Sequence, residues 1–277
     1  MTVRLPLVTL VSLCAFLCSD PALADDCGSG AAGTSGDARA LLAQLNQQSP
    51  TFSKAKPSPT EPVTTAEPVS HRPSDKKMAK VYDANDKRAD KAKEKLTAAQ
   101  KNDLKSFYEN WEKNKAKYQA VADKTGIPAE LVAALHWRES TGDFGTYLHQ
   151  GDPLGKKAVH VPKNIPLFHT WEPAAEHALD MKKWLRDKLK IDKNTKDLAA
   201  LATYAEYYNG LGYHYKGKPS PYVWSGTDQY SRGKYVADGR YNRRVKDRQL
   251  GVAAMVQHIW AQDAAMDVPL PTRNPER

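Results

Sequence analysis

The stretch Thr125 to Ser140, TGIPAELVAALHWRES, sets what the rest of the chain must be built around. It predicts a short helix that ends in a carboxylate. Gly126 breaks what precedes it, and Pro128 suits a first helical turn, where its missing N–H is not needed. Glu130 falls early, where the helix dipole favours an anion. Leu131, Val132 and Leu135 repeat at helical spacing and share one face. Glu139 lies four residues after Leu135 and seven after Val132, so the same spacing puts a carboxylate on the apolar face of its own helix. Desolvation there raises a carboxyl pKa, and a carboxyl that stays protonated near neutrality can act as a general acid. The competing reading is a structural ion pair between Glu139 and Arg138, Arg186 or another base.

The first residues bear on compartment. Arg4 precedes an apolar run from Leu5 to Leu17, and Ala22-Leu23-Ala24 follows. A positive start, a short apolar core and a small-residue cleavage site predict a secretory signal peptide over residues 1–24. The run is too short for a stable membrane anchor. Cleavage would remove Cys14 and Cys18 and leave Cys27, so neither a disulfide framework nor a Cys-based zinc site is expected. The 277 residues carry a formal charge of +9. That balance suits a polyanionic partner: nucleic acid, an anionic membrane or an acidic cell wall. Export argues against chromosomal DNA and for the wall, with periplasmic or secreted location.

Along the chain, residues 25–74 read as a linker, Gly- and Ala-rich at first and then Pro-, Ser- and Thr-rich, a composition that cannot bury a core. Residues 75–103 are dense in Lys, Asp and Ala and predict a solvated, charged helix with little packing. At Leu104 the texture changes. Leu104, Phe107, Tyr108, Trp111, Tyr118 and Val121 keep helical spacing and open the folded domain, 104–268, ahead of a tail at 269–277. Thr141 to Trp171 is a long loop. Pro173 then opens a helix with the stripe Ala174, Ala178, Met181, Leu185 and Leu189. Thr195 is expected to cap the next helix, which runs to Tyr208 and stops at Gly210 and Gly212. Residues 213–246 read as a second long loop, and a last helix carries Val252, Met255, Val256 and Ile259. The fold class is mainly α, a helical domain with long loops that could wall a cleft.

Two helix ends carry a resemblance. An apolar helix ending in Glu139-Ser140, followed by a helix ending in Tyr208-Asn209-Gly210, resembles the lysozyme-like superfamily. It is most similar to the lytic transglycosylase and goose-type lysozyme branch, whose members cut the glycan of peptidoglycan. The phrases PSPYVWSGTDQY and GKYVADGRY are similar to phage-associated lysozyme-like proteins. The resemblance covers roughly residues 104–265 and implies an α+β lysozyme-like domain. It puts the catalytic acid on Glu139, its neighbour on Ser140 and a supporting pair on Tyr208 and Asn209. Gly151-Asp152-Pro153-Leu154-Gly155 stands where the transglycosylases commonly have a Gly-Leu-Met-Gln-like segment. That departure leaves open whether cleavage of the strand is hydrolytic or forms an anhydro sugar.

Breaking a glycosidic bond needs a proton on the leaving oxygen, from a carboxylic acid of raised pKa. An inverting hydrolase also needs a second carboxylate to activate water. Asp152, in the Gly-Pro-rich loop after Glu139, is the first candidate for it, ahead of Asp143, Asp228 and Glu206. The aromatics from Tyr213 to Tyr235, including Tyr222, Trp224 and Tyr230, suit stacking on pyranose faces, with Tyr213 and Trp224 taken as substrate contacts. The alternative chemistry is a zinc peptidase or amidase built from His149, Asp152 and His160, His169, His177 or His214. The ligand spacing of H-E-x-x-H is missing, so no metal or other cofactor is expected. A wall-binding protein without turnover is a third reading. The expected partner is the peptidoglycan glycan strand, with no nucleic acid and a monomeric protein.

Overall fold

The computed structural model describes residues 69–237 and 239–266, so the expected signal peptide, most of the expected linker, all three cysteines and the expected tail lie outside the described residues. The described chain is mainly helical, with two short strands. Helix α1 spans Lys76–Ala89, α2 Ala98–Thr125, α3 Ala129–Ser140, α4 Trp171–Asp180 and α5 Lys183–Lys188. After α6 (Leu198–Asn209) come two single turns, α7 (Gly212–Tyr215) and α8 (Pro221–Trp224). A hairpin of β1 (Lys234–Ala237) and β2 (Arg240–Asn242) follows, and α9 (Val252–Met266) completes the order. None of these helices is long and apolar enough to cross a membrane.

The centre is α3. Every residue from Ala129 to Trp137 is buried, His136 included. The expected single apolar face is therefore an understatement: α3 is buried all round, and both α2 and α9 pack against it. Its one early acid, Glu130, is structural. It accepts from Lys196 Nζ at 3.1 Å and from Trp260 Nε1 at 2.9 Å.

Helix α2 starts at a Thr97–Gln100 capping box and stops at Gly126, in the left-handed region at φ +72°. His136 ties α2 to the loop after α3. The Asp143 carbonyl can only accept, so His136 Nε2 donates to it at 3.0 Å, and Nδ1 accepts from Tyr118 Oη at 3.1 Å. Asn110 Nδ2 in turn donates to Tyr118 at 2.9 Å. Burial holds the His136 pKa down at about 4, which keeps this relay neutral.

Five expectations need correction. The segment 75–103 is packed: α1 lies along α6 and buries Met78, Val81, Tyr82 and Asn85. Asn85 donates to Glu206 at 2.9 Å and accepts from Trp224 Nε1 at 3.1 Å, so the domain begins ahead of α1. The linker also ends sooner than residue 74, since His71 donates to the Leu189 carbonyl and Arg72 grips Asp83. The Pro173 helix breaks at Met181 into α4 and α5, leaving Met181 exposed while the rest of its stripe is buried. Asp197, not Thr195, caps α6, by accepting from Ala200 N, because Thr195 is engaged in a turn with Asp192. The expected loop at 213–246 holds α7, α8 and the hairpin.

Candidate active site

Glu139 sits in the last turn of α3, half-buried. Its partner comes from α8: Tyr222 Oη donates to Glu139 Oε1 at 2.7 Å. Neither basic residue expected to pair with Glu139 does so. Arg138 instead donates to the Leu250 carbonyl at 3.0 Å and to Asp247 at 3.3 Å, with its guanidinium 4.7 Å from the Tyr222 ring centre. Arg186 binds Asp187 and the Thr125 carbonyl.

Burial dominates the carboxyl of Glu139 and pushes its pKa up to about 7. The Tyr222 hydrogen bond and the Arg138 charge favour the anion and only partly offset burial. A carboxyl that titrates near neutrality keeps its proton well above the ordinary carboxylate range, which is the condition for a proton donor. Removing the Tyr222 hydroxyl removes a force that favours the anion. Tyr222→Phe is accordingly expected to raise the Glu139 pKa by about one pH unit or more, given roughly 1.5–3 kcal/mol for a hydrogen bond to a charge. Carboxyl-carbon NMR titration of the two proteins checks this, and an unchanged or lowered midpoint would refute it.

A cleft of about 630 Å³ opens beside this pair. Tyr222, Arg138 and Asp247 form one wall, Asn209, Gly210, Gly212 and Tyr213 a second, and Lys234 to Ala237 of β1 a third. Glu139 is not itself in the lining; it stands one hydrogen bond behind Tyr222. Asp247 is the carboxylate in that lining, and both of its oxygens are engaged, by Arg138 and by Lys234 at 2.9 Å. Burial alone would raise the Asp247 pKa, but the Arg138 charge and the Lys234 bond outweigh it and hold the group below its ordinary value.

The expected site residues separate into those at the cleft and those elsewhere. Asn209 and Tyr213 line it, and Tyr213 Oη also accepts from the Tyr235 amide, which fixes β1. Tyr208 donates to the Leu148 carbonyl at 2.8 Å. Burial, and next the charge of nearby Glu139, pushes the Tyr208 pKa well above its ordinary value. Ser140 Oγ turns back to the His136 carbonyl at 3.4 Å. Trp224 is a correction: it is fully buried, with its indole N–H on Asn85, and presents no face to a sugar. Tyr222 and Asp247 are the residues that motif reasoning did not assign.

Asp152 is also corrected as a second carboxylate. Its side chain is 6 % exposed and is bound by the Val159 and His160 amides, by His160 Nδ1 and by Gln150. Burial opposes its ionisation, but these donors, His160 first, bring its pKa down to about 2. A water-activating base needs a free lone pair, and Asp152 spends its oxygens on the loop. What the loop gives the site is Gly151. At φ +77° it lies so close to α3 that an added Cβ would stand 2.7 Å from the Glu139 carbonyl oxygen. We expect Asp152→Asn to lower stability by about 1–3 kcal/mol in urea denaturation, the cost of buried donors left short of an acceptor. A variant of full stability that has lost turnover would return Asp152 to the chemistry.

The histidines of the metal reading scatter. His149 and His177 meet at 2.9 Å, while His160 binds Asp152. Among the described residues no three His, Cys, Asp or Glu side chains are arranged to hold a metal ion. Set against known proteins, the chain matches no family model, no curated protein and no solved structure.

Proposed function

We propose that this protein cleaves the glycan strands of peptidoglycan, with Glu139 as the general acid, in a lysozyme-like domain exported to the wall. The single observation that carries the reading is the Glu139 carboxyl itself: pushed up to about 7, oriented by Tyr222, and set beside an open, tyrosine-lined cleft. The resemblance of Glu139-Ser140 and Tyr208-Asn209-Gly210 to lysozyme-like enzymes supplies the substrate class.

In this mechanism the protonated Glu139 gives its proton to the glycosidic oxygen as the C1–O bond breaks. The resulting carboxylate then takes a proton back, from a water attacking C1 or from a hydroxyl of the same sugar that closes on C1. With Asp247 saturated by two cations and Asp152 by its loop, no free second carboxylate stands among the described residues lining the cleft. This favours a route in which Glu139 serves in turn as acid and base. Mass spectrometry of fragments released from purified sacculi tests the proposal. Anhydro ends report closure by the sugar's own hydroxyl, reducing ends report water, and free peptides without glycan fragments would overturn it.

A further inference from the structure

Two thirds of the formal charge of +9 belongs to one short segment. Between Lys216 and Arg248 stand nine Lys or Arg and three Asp, a net +6. One of the nine, Lys234, is engaged by Asp247 on the cleft side. Lys218, Arg232, Arg240, Arg243 and Arg244 are exposed, and among the described residues none of them forms an ion pair.

These cations are gathered on the outer side of the hairpin. Two shallow depressions there, of about 680 and 540 Å³, share Lys218, Tyr241, Arg243 and Arg244. Val236 lines both the first of them and the cleft, so the hairpin is a common wall. Strands of four and three residues are not stable alone. This ribbon is held by ring contacts of Tyr235 with Tyr213 at 5.0 Å and with Tyr241 at 5.5 Å. It is also held by Gly233, at φ +104°, where any Cβ would collide with the Tyr241 hydroxyl. The arginines therefore project from a fixed platform. Asp228 also lines the second depression, but the cations there outnumber it, and a gathering of like charges carries a repulsion that an anionic ligand removes.

We propose that this outer face binds carboxylate groups carried by the same glycan strand that occupies the cleft, which extends the reading of the site given above and rests on it. A polymer longer than the cleft passes over the hairpin rim onto Arg240, Arg243 and Arg244, whose planar forks match carboxylates two bonds at a time.

The test uses the full chain carrying Glu139→Gln, so that sacculi are bound and not consumed, and adds Arg240→Gln, Arg243→Gln and Arg244→Gln together. These three side chains are exposed, and circular dichroism checks that the fold is kept. Cosedimentation with sacculi is expected to weaken about tenfold, the effect of removing three exposed charges at once. Amidating the sacculus carboxylates should weaken the unsubstituted surface by the same factor and leave the triple variant unaffected. Undiminished binding by the triple variant overturns the proposal, as does binding to duplex DNA that is tighter than to sacculi at equal salt. Separately, carboxylate-dependent binding by a wild-type protein that releases no fragments would remove the cleavage reading and keep this surface. Fragment release with binding indifferent to the arginines would do the reverse.

Discussion

Glu139→Gln yields a folded, inert protein that is more stable than the wild type above pH 7. In the proposed mechanism Glu139 is the proton donor, and its loss is expected to lower turnover by roughly 10²–10⁴-fold. The stability gain follows from linkage. The folded carboxyl titrates at about 7 against an ordinary 4.5, so between these values the unfolded chain ionises while the folded one holds its proton. Stability then falls as pH rises, and the penalty is complete above pH 7. The 2.5-unit difference at about 1.4 kcal/mol per unit sets it on the order of 3 kcal/mol. Gln keeps an oxygen for Tyr222 to donate to and carries no charge to desolvate. Urea denaturation at pH 5 and pH 8.5 checks this: the variant's advantage should be small at the lower pH and several-fold larger at the higher. Equal stability at both would mean that Glu139 is not held in a desolvated place.

The second large effect is structural. Asp247→Ala leaves the Arg138 guanidinium without its carboxylate inside a wall where the Arg138 side chain is 8 % exposed and that of Asp247 2 %. Breaking such a pair from one side costs about 3–5 kcal/mol, because the remaining charge is left buried and alone. Replacing both partners together, Arg138→Met with Asp247→Leu, should recover much of the loss, since the pair itself contributes little beyond its own desolvation. The folded Asp247 pKa lies below 3.8, so its contribution is in place above pH 4 and is lost as pH falls through the lowered value. Turnover should drop in the single variant more than stability explains, because Arg138 is what covers the Tyr222 ring. Denaturant midpoints of the single and double variants decide it, and two equally unstable proteins would sink the account.

The central helix and its acid were legible because their signals are local: Gly126, Pro128, the Leu131-Val132-Leu135 spacing and a carboxylate in phase with it. The Tyr222 partner was not, since it stands 83 residues away on a single turn with no periodicity to announce it. The charged texture of 75–103 hid a pattern that was present. Met78, Val81, Tyr82 and Asn85 sit at helical spacing, and Lys80 between them, like Lys76, Lys77 and Lys87 on either side, faces water. The hairpin left a trace as well: the Asp238-Gly239 pair between KYVA and RYN is a turn signal, but strands this short show too little alternation to be read. Asp152 misled for the opposite reason. Position in a Gly-rich loop near the acid looks the same in sequence whether a carboxylate faces a substrate or closes its own loop.

The ribbon of β1 and β2 has one side in the cleft and the other beneath Arg243 and Arg244. Two ligands that meet a single thin element share its free energy, and that sharing is mutual. By whatever factor an anion on the outer side alters affinity within the cleft, a saccharide in the cleft alters affinity for the anion by the same factor. Measuring either one alone, with and without the other present, yields the coupling between them.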